Sequence, residues 1–304
     1  MSFLNFYHSL DSIIRKKLGL TLIDEKIKIQ EDQILELRLE LLKFTSCKYE
    51  AEVNYILKNG LKVFPYKQIN NVEEIESGFD NHYKLPYVLH KQKRLYFPKS
   101  YTIDFCVSMY RSYIGDECLL GGKYREKQPH QYLTESFCVE EGDVLVDVGC
   151  AEALLSLDSI DKVRKVYLFE ADPIWLPALK ATFKDYSDKV ILINKYVSDK
   201  DSNATITLKT ALKDEYSSRL FIKMDIEGAE LSVLKGSKDF FKNRSNVKLA
   251  CCTYHKYMDE IEIPVLMEEM GYNYEFSDGY MLFLYAKDIR YPYFRHGLVR
   301  AKNF

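Results

Sequence analysis

The sequence predicts an α/β fold: a parallel sheet with helices on both faces, closed by an antiparallel edge. Three observations carry this. Between residues 136 and 288, short apolar runs of β-formers alternate with helical stretches. The first of these runs, VLVDVG at 144–149, has the unbroken apolar character of a strand buried on both faces. Near the C-terminus, YNYEFS and MLFLYAKD flank Asp278-Gly279, which reads as a hairpin turn. In order, the predicted elements are a strand at 144–149, a helix over Ala153–Ile160, a strand at 166–172, a helix over Trp175–Tyr186 and a strand over Lys189–Val197. LFIKMDIEG (220–228) follows as a fourth strand, Glu230–Phe241 as a helix, VKLACCTYHK (247–256) as a fifth strand and Glu260–Met270 as a last helix before the hairpin.

The 304 residues allow one or two domains of about 150 residues. Hydrophobic residues make up 47%, enough apolar surface to exclude a wholly disordered chain. A net charge of -2 lacks the basic footprint of a dedicated nucleic-acid binder. The seven cysteines are odd in number and form no C-x-x-C pair, which argues against a disulfide framework and a structural zinc site. No apolar run reaches the roughly 18 residues of an integral membrane segment, and the first twenty residues do not read as a signal peptide. A cytoplasmic location is the expectation.

Three regions are expected: residues 1–45, 46–135 and 136–304. In the first, Ile23, Ile27, Gln30, Ile34, Leu37, Leu41 and Phe44 form a coiled-coil-like seam. It would serve a homodimer, or pack as one amphipathic helix on its own domain, the reading that Leu35, Leu39 and Leu42 favour by widening the apolar face. The second is a mixed extension with strand-like LKVFPY and RLYFP, a helix at about Ile103–Ile114, and a polar stretch, GGKYREKQPHQYL, that is a flap or a surface loop.

Asp147-Val148-Gly149 closes the first strand of the third region, and Gly149 lets backbone approach a ligand. Glu170 closes the second strand, 21 residues after Gly149, near the spacing at which an acid takes ribose hydroxyls. A dinucleotide needs G-x-G-x-x-G, because its pyrophosphate lies on bare backbone at a helix start. Here the turn is Gly149-Cys150-Ala151-Glu152-Ala153, with one glycine and an acid that would repel phosphate. S-adenosylmethionine has no phosphate and a cationic sulfonium, so it fits better than NAD.

Four stretches then resemble the FkbM family of S-adenosylmethionine-dependent methyltransferases: VLVDVGCAEALLSL (144–157), VYLFEAD (166–172), FIKMDIEGAELSVLKG (221–236) and CTYHKYMDE (252–260). FSDGYMLF and FRHGLVRAK resemble a bacterial subgroup of it. The resemblance implies a Rossmann-like seven-stranded methyltransferase sheet, order 3-2-1-4-5-7-6. It also implies methyl transfer to oxygen, often on sugars, polysaccharides or other hydroxylated metabolites. Asp147, Gly149 and Glu170 match the family's donor-binding positions. Ala153 stands where the family usually has a second glycine, and its methyl group would lie near the donor's methionine end. His130, Gln131 and Tyr132 resemble the segment that precedes the family's first strand and can close over the site.

Methyl transfer from a sulfonium needs donor and acceptor held in line and the acceptor proton removed. Asp225 and Glu227, two apart at the end of the fourth strand, would share a face in extended conformation. His255, at the end of the fifth, has the unperturbed pKa of a general base. Asp225 and Glu227 would then orient it or hold the acceptor hydroxyl. Alternatively the three hold Mg²⁺, or Glu227-Gly228 is only a tight turn opening the next helix. Tyr254 would stack on a sugar face or belong to the core, Asp199 would accept from the adenine amino group or sit in an ordinary turn, and Lys223 would snorkel to the sheet edge. Cys150 reads as a space-filler. The alternative function is a catalytically weak binding or scaffold protein on the same fold.

Overall fold

The computed structural model describes residues 48–283 and 293–304. The expected N-terminal seam lies outside these residues. The described chain begins with α1 (Glu50–Asn59), which stops at Gly60, a residue with φ 83°. Three short strands follow, β1 (Ser77–Asp80), β2 (Leu85–His90) and β3 (Lys93–Tyr96), in an antiparallel sheet of that order. Then comes α2 (Ile103–Arg111), whose N-cap Thr102 accepts the Phe105 amide. It runs on as a π-turn over Ser112–Asp116, so the predicted helix to Ile114 is there with a changed last turn. LKVFPY is not a strand. Pro65 has no N–H to donate to a ladder, and the segment instead accepts the Leu282 amide at Val63.

The main domain follows as β4 (Val144–Val148), α3 (Leu154–Ser159), β5 (Lys165–Phe169), α4 (Leu176–Thr182) and β6 (Val190–Ile193). A minor pair, β7 (Tyr196–Val197) and β8 (Thr205–Ile206), and the short α5 (Leu208–Ala211) lead into β9 (Leu220–Met224). The predicted helix over 230–241 is two helices, α6 (Glu230–Gly236) and α7 (Lys238–Lys242), broken at Gly236-Ser237. β10 (Val247–Cys252), α8 (Asp259–Glu269), β11 (Asn273–Phe276), β12 (Met281–Leu282), β13 (Phe294–Arg295) and β14 (Leu298–Lys302) complete it.

The seven-stranded sheet runs β6-β5-β4-β9-β10-β14-β11. Counted along the chain within that sheet, the order is 3-2-1-4-5-7-6, with β14 antiparallel to both neighbours and β4, β5, β6, β9 and β10 parallel. The predicted hairpin is corrected here. β11 pairs with β14, and of the predicted partner Met281 and Leu282 (β12) pair with β13 in a separate ribbon. The physical reason is burial: Leu298, Val299 and Ala301 are fully buried between two strands, as an interior position demands. Gly279, at φ 93°, sends the chain away from the sheet instead. Leu282 and Phe294 thereby pack with Tyr49, Val53 and Ile56 of the N-terminal part.

Side chains alternate across this sheet. Val144, Val146 and Val148 of β4 face one core with Ile222 and Met224 of β9. Leu145 and Phe221 face the other, under α3 and α2. That alternation puts Asp147 and Lys223 on the second face, near the C-terminal ends of the strands. There β4 has β5 on one side and β9 on the other, so the chain leaves neighbouring strands in opposite directions and opens a crevice.

Candidate active site

The turn after β4 is shaped by left-handed backbone. Gly149 has φ 76°, Ala151 45° and Ala153 62°. A Cβ on Gly149 would lie 2.0 Å from the Asp225 carbonyl oxygen. The glycine is therefore required by the close approach of the next strand end, and it also lines the pocket. The Gly149 and Cys150 amides both donate to the Phe169 carbonyl at 3.0 Å. Ala153 is the N-cap of α3, 1% exposed, with its methyl group in the core rather than in the pocket wall. Glu170 accepts from the Ala151 amide through Oε2 and from the Asp172 amide through Oε1, both at 2.8 Å. Burial raises its pKa while these two N–H groups pull it down. Glu170 thus sits at the turn and clamps it to the end of β5, beside the pocket rather than in its lining.

Asp147 and Lys223 are direct cross-strand partners. Their ion pair is 3.2 Å long, Lys223 Nζ also donates to the Gly149 carbonyl at 2.5 Å, and the Ser156 hydroxyl donates to Asp147 at 2.7 Å. Lys223 is 7% exposed and lines the pocket, so it does not snorkel to the sheet edge. Burial works against its charge, but Asp147 and Asp225 outweigh it and hold the ammonium protonated.

Asp225 is the centre of the opposite wall. Tyr132 donates to it at 2.9 Å and Tyr254 at 3.2 Å. His255 Nε2 lies 3.4 Å and His130 Nε2 3.8 Å away. Burial opposes its charge, but His255, Lys223 and His130 keep its carboxyl well below the usual range.

His255 is not placed as a neutral base. Its Nδ1 is 3.0 Å from the fully buried Glu230, and its Nε2 faces Asp225 and, at 3.7 Å, Glu227. Burial favours the neutral ring, yet the three carboxylates push the pKa up to about 9, so the ring is an imidazolium at neutral pH. It also lies behind the pocket wall rather than in it. His255 suits Mg²⁺ poorly on chemical grounds, since that cation prefers oxygen ligands and an imidazole offers nitrogen. Glu227 does line the pocket, and it does so from the tight turn that was the alternative to a shared strand face. The strand ends at Met224, and Glu227 (φ 57°) and Gly228 (φ 91°) form a tight turn before α6, so Asp225 and Glu227 do not share an extended face.

The pocket between these walls has an empty volume of about 570 Å³ including its open mouth. The mixed extension supplies its third wall: Tyr113, Glu117, Leu119, His130 and Tyr132. The stretch that reads as a flap or surface loop thus carries two buried side chains into the site, His130 at 4% exposure and Tyr132 at 2%. Gln131 between them turns away and donates to the Leu133 carbonyl. His130 Nδ1 is 3.1 Å from Glu117, and its Nε2 is 3.1 Å from the Tyr132 hydroxyl. Glu152 also lines the pocket, and burial lifts its carboxyl to about 7. Burial pushes the Cys150 thiol well up, in keeping with a space-filler.

Asp199 is the expected site residue that the structure takes elsewhere. It packs on the end of α6, where a Cβ on Gly236 would come within 2.3 Å of its own Cβ, and it is absent from the pocket lining. Asp147, Gly149, Asp225, Glu227, His130, Tyr132 and Tyr254 are brought together, with Ala153, Glu170 and His255 just behind them. Glu117, Lys223 and Glu230 are the charged residues that sequence reading missed as parts of the site. Lys223 carried a signal, being an ammonium inside an apolar strand at the parity of Asp225. Glu117 carried none, because its partner is 13 positions away across an irregular loop.

Residues 158–274 match the family model described as the methyltransferase FkbM domain. No curated protein matches the chain in sequence. Among solved structures, the chain is similar to precorrin-6y C5,15-methyltransferase from Geobacter metallireducens GS-15, with 15% identity, a TM-score of 0.35, and 54% of this chain and 79% of that one covered. An rRNA methylase from Streptococcus thermophilus matches at 14% identity and TM-score 0.33, over 55% of this chain and 89% of its own. The METTL16 methyltransferase domain matches at 14% identity and TM-score 0.38, over 68% and 72%. The stretch that matches the methyltransferase FkbM domain, residues 158–274, carries β5, β6, β9 and β10 of the seven-stranded Rossmann-like sheet.

Proposed function

We propose that the chain is an S-adenosylmethionine-dependent O-methyltransferase acting on a hydroxyl of a sugar, polysaccharide or other hydroxylated metabolite. The observation that carries this reading is the pocket at the ends of β4 and β9, where the sheet changes direction beside a turn clamped by Glu170. The methyltransferase FkbM domain match supplies the reaction class. The nucleoside of the donor would lie along the Gly149–Glu152 turn, with Glu170 exchanging a backbone partner for ribose hydroxyls. The sulfonium would face the carboxylates of Asp225 and Glu227, which favour a cation. The acceptor would enter between Tyr254 and the 113–132 wall. A rim carrying Glu117, Glu152, Asp225 and Glu227 suits a neutral hydroxylated acceptor better than a phosphate-bearing one. When bound, the donor supplies the electrophilic methyl group. The protein has to align the two reactants, exclude water and accept one proton.

Titration calorimetry with S-adenosylmethionine tests the reading. A dissociation constant in the micromolar range or tighter is expected, weakened at least about tenfold by Glu170→Ala, the loss of one or two charge-assisted hydrogen bonds. No heat at millimolar donor would overturn it.

A further inference from the structure

Two histidines flank Asp225, and their surroundings differ in kind. His255 has carboxylates at both ring nitrogens and no place in the pocket lining. His130 has Glu117 at Nδ1 and lines the pocket, while at its Nε2 the Tyr132 hydroxyl lies 3.1 Å away, the Cys252 thiol 3.5 Å and the Asp225 carboxylate 3.8 Å. The Glu117 carboxylate accepts only, so it fixes the hydrogen on Nδ1. The Tyr132 hydroxyl has Asp225 as an acceptor at 2.9 Å, so it can donate there and needs nothing from His130. The Cys252 thiol, 3.5 Å from Nε2, is the other possible donor and a weak one, so Nε2 keeps a lone pair for a stronger donor in a site 4% exposed to solvent.

We propose that His130 is the catalytic proton acceptor of methyl transfer and that Glu117 is its positioning residue. This rests on the methyltransferase reading above. In the step, the acceptor oxygen attacks the methyl carbon of S-adenosylmethionine with a lone pair and forms the C–O bond. The S–CH₃ bond breaks, and its electron pair stays on sulfur, which becomes a neutral thioether. The acceptor O–H bond breaks, its proton goes to His130 Nε2, and its electron pair stays on oxygen. The imidazolium so formed is offset by Glu117 on one side and Asp225 on the other, at 3.1 and 3.8 Å. The arrangement is that of a base oriented by a third group, which holds the correct tautomer and stabilises the charge formed. Asp225 lies beside both histidines, but only His130 lines the pocket. His255, already charged, keeps Asp225 ionised and in place.

The test is spectroscopic and needs no acceptor. Imidazole ¹⁵N shifts are measured on the full chain at pH 7, assigned with His130→Gln and His255→Gln. His130 is expected to carry its hydrogen on Nδ1 with an unprotonated Nε2, and His255 to be protonated at both nitrogens. Glu117→Gln should shift His130 toward the Nε2–H tautomer, while S-adenosylmethionine affinity measured by calorimetry changes less than about threefold. A hydrogen on His130 Nε2 in the wild-type chain, whether as the other tautomer or as a full imidazolium, overturns the proposal while donor binding leaves the methyltransferase reading standing. Absent donor binding overturns that reading, and His130's role with it. Should Glu117→Gln unfold the chain, Glu117→Asp replaces it: a shortened carboxylate that leaves the tautomer populations unchanged would overturn the positioning role.

Discussion

On the β4–β5 side of the pocket, backbone does the shaping: three left-handed residues within five positions, two amides on one carbonyl, and a carboxylate spent on holding amides. On the β9–β10 side, side chains do it: two tyrosine hydroxyls, two imidazoles and an ammonium arranged around the Asp225 carboxylate. A wall made of backbone is rigid in position but says little about chemistry. A wall made of charges is held by compensation, so removing one member exposes the others. The two walls should therefore fail differently.

The largest effect is expected on the backbone side. Gly149→Ala places a methyl group 2.0 Å from a carbonyl oxygen, at a φ of 76°. Both strand ends would have to part, at a cost of about 3 kcal/mol or more, since the clash adds to the roughly 1–3 kcal/mol of a strained backbone position. Urea unfolding measures it. A loss under about 1 kcal/mol would mean that the turn is pliable and that the contrast between the walls is false.

Next comes Asp225→Asn. It leaves the Lys223 ammonium and the His255 imidazolium without their shared anion, and breaking a buried ion pair from one side costs about 3 kcal/mol. It should also lower the His255 pKa from about 9, since Asp225 is one of the acids that raise it. An unchanged His255 titration would show that Glu230 alone holds the ring charged.

His255 gives a third test through pH. Its pKa is near 9 in the folded chain against 6.5 for the free side chain. The proton is bound more tightly in the folded state, so the stabilisation is fully present below about pH 6.5 and is lost as pH rises through about 9. Between those limits wild type should lose on the order of 2 kcal/mol more than His255→Gln. Subtracting the variant removes the other groups that titrate in the range, including Glu152, whose carboxyl sits at about 7. Parallel stability curves would deny the imidazolium.

These contrasts also explain what could be read from the sequence. The sheet was legible because four of the parallel strands are buried on both faces and leave short apolar runs between helical stretches. The Gly149 turn and Glu170 were legible because their spacing follows from strand and helix lengths. The closing pair was not. The sequence distance from β11 to β14 spans a ribbon and residues outside those described, whereas the Asp278-Gly279 turn offered a local partner. For Glu227 the turn reading holds and the shared strand face does not, because period-two parity stops where the strand stops, at Met224. His255 was found but given the wrong protonation state, since charge depends on neighbours such as Glu230 that converge only in three dimensions. His130 was placed near the site by resemblance, yet its Glu117 partner belongs to a loop with no period at all.

Ala153→Gly is the smallest expected effect and the most direct test of the departure at this position. Alanine at φ 62° carries a left-handed penalty of about 1–2 kcal/mol, which glycine would relieve. Against that, glycine loses about 0.5–1 kcal/mol in unfolded-state entropy and roughly 0.8 kcal/mol from one buried methyl group. The terms nearly cancel, so stability should stay within about 1 kcal/mol of wild type. Because the methyl group points into the core and not the pocket, S-adenosylmethionine affinity should change less than about threefold. A tenfold gain in donor affinity would show instead that the alanine narrows the donor site. That outcome would move the weak point of the molecule from the charged wall to the backbone one.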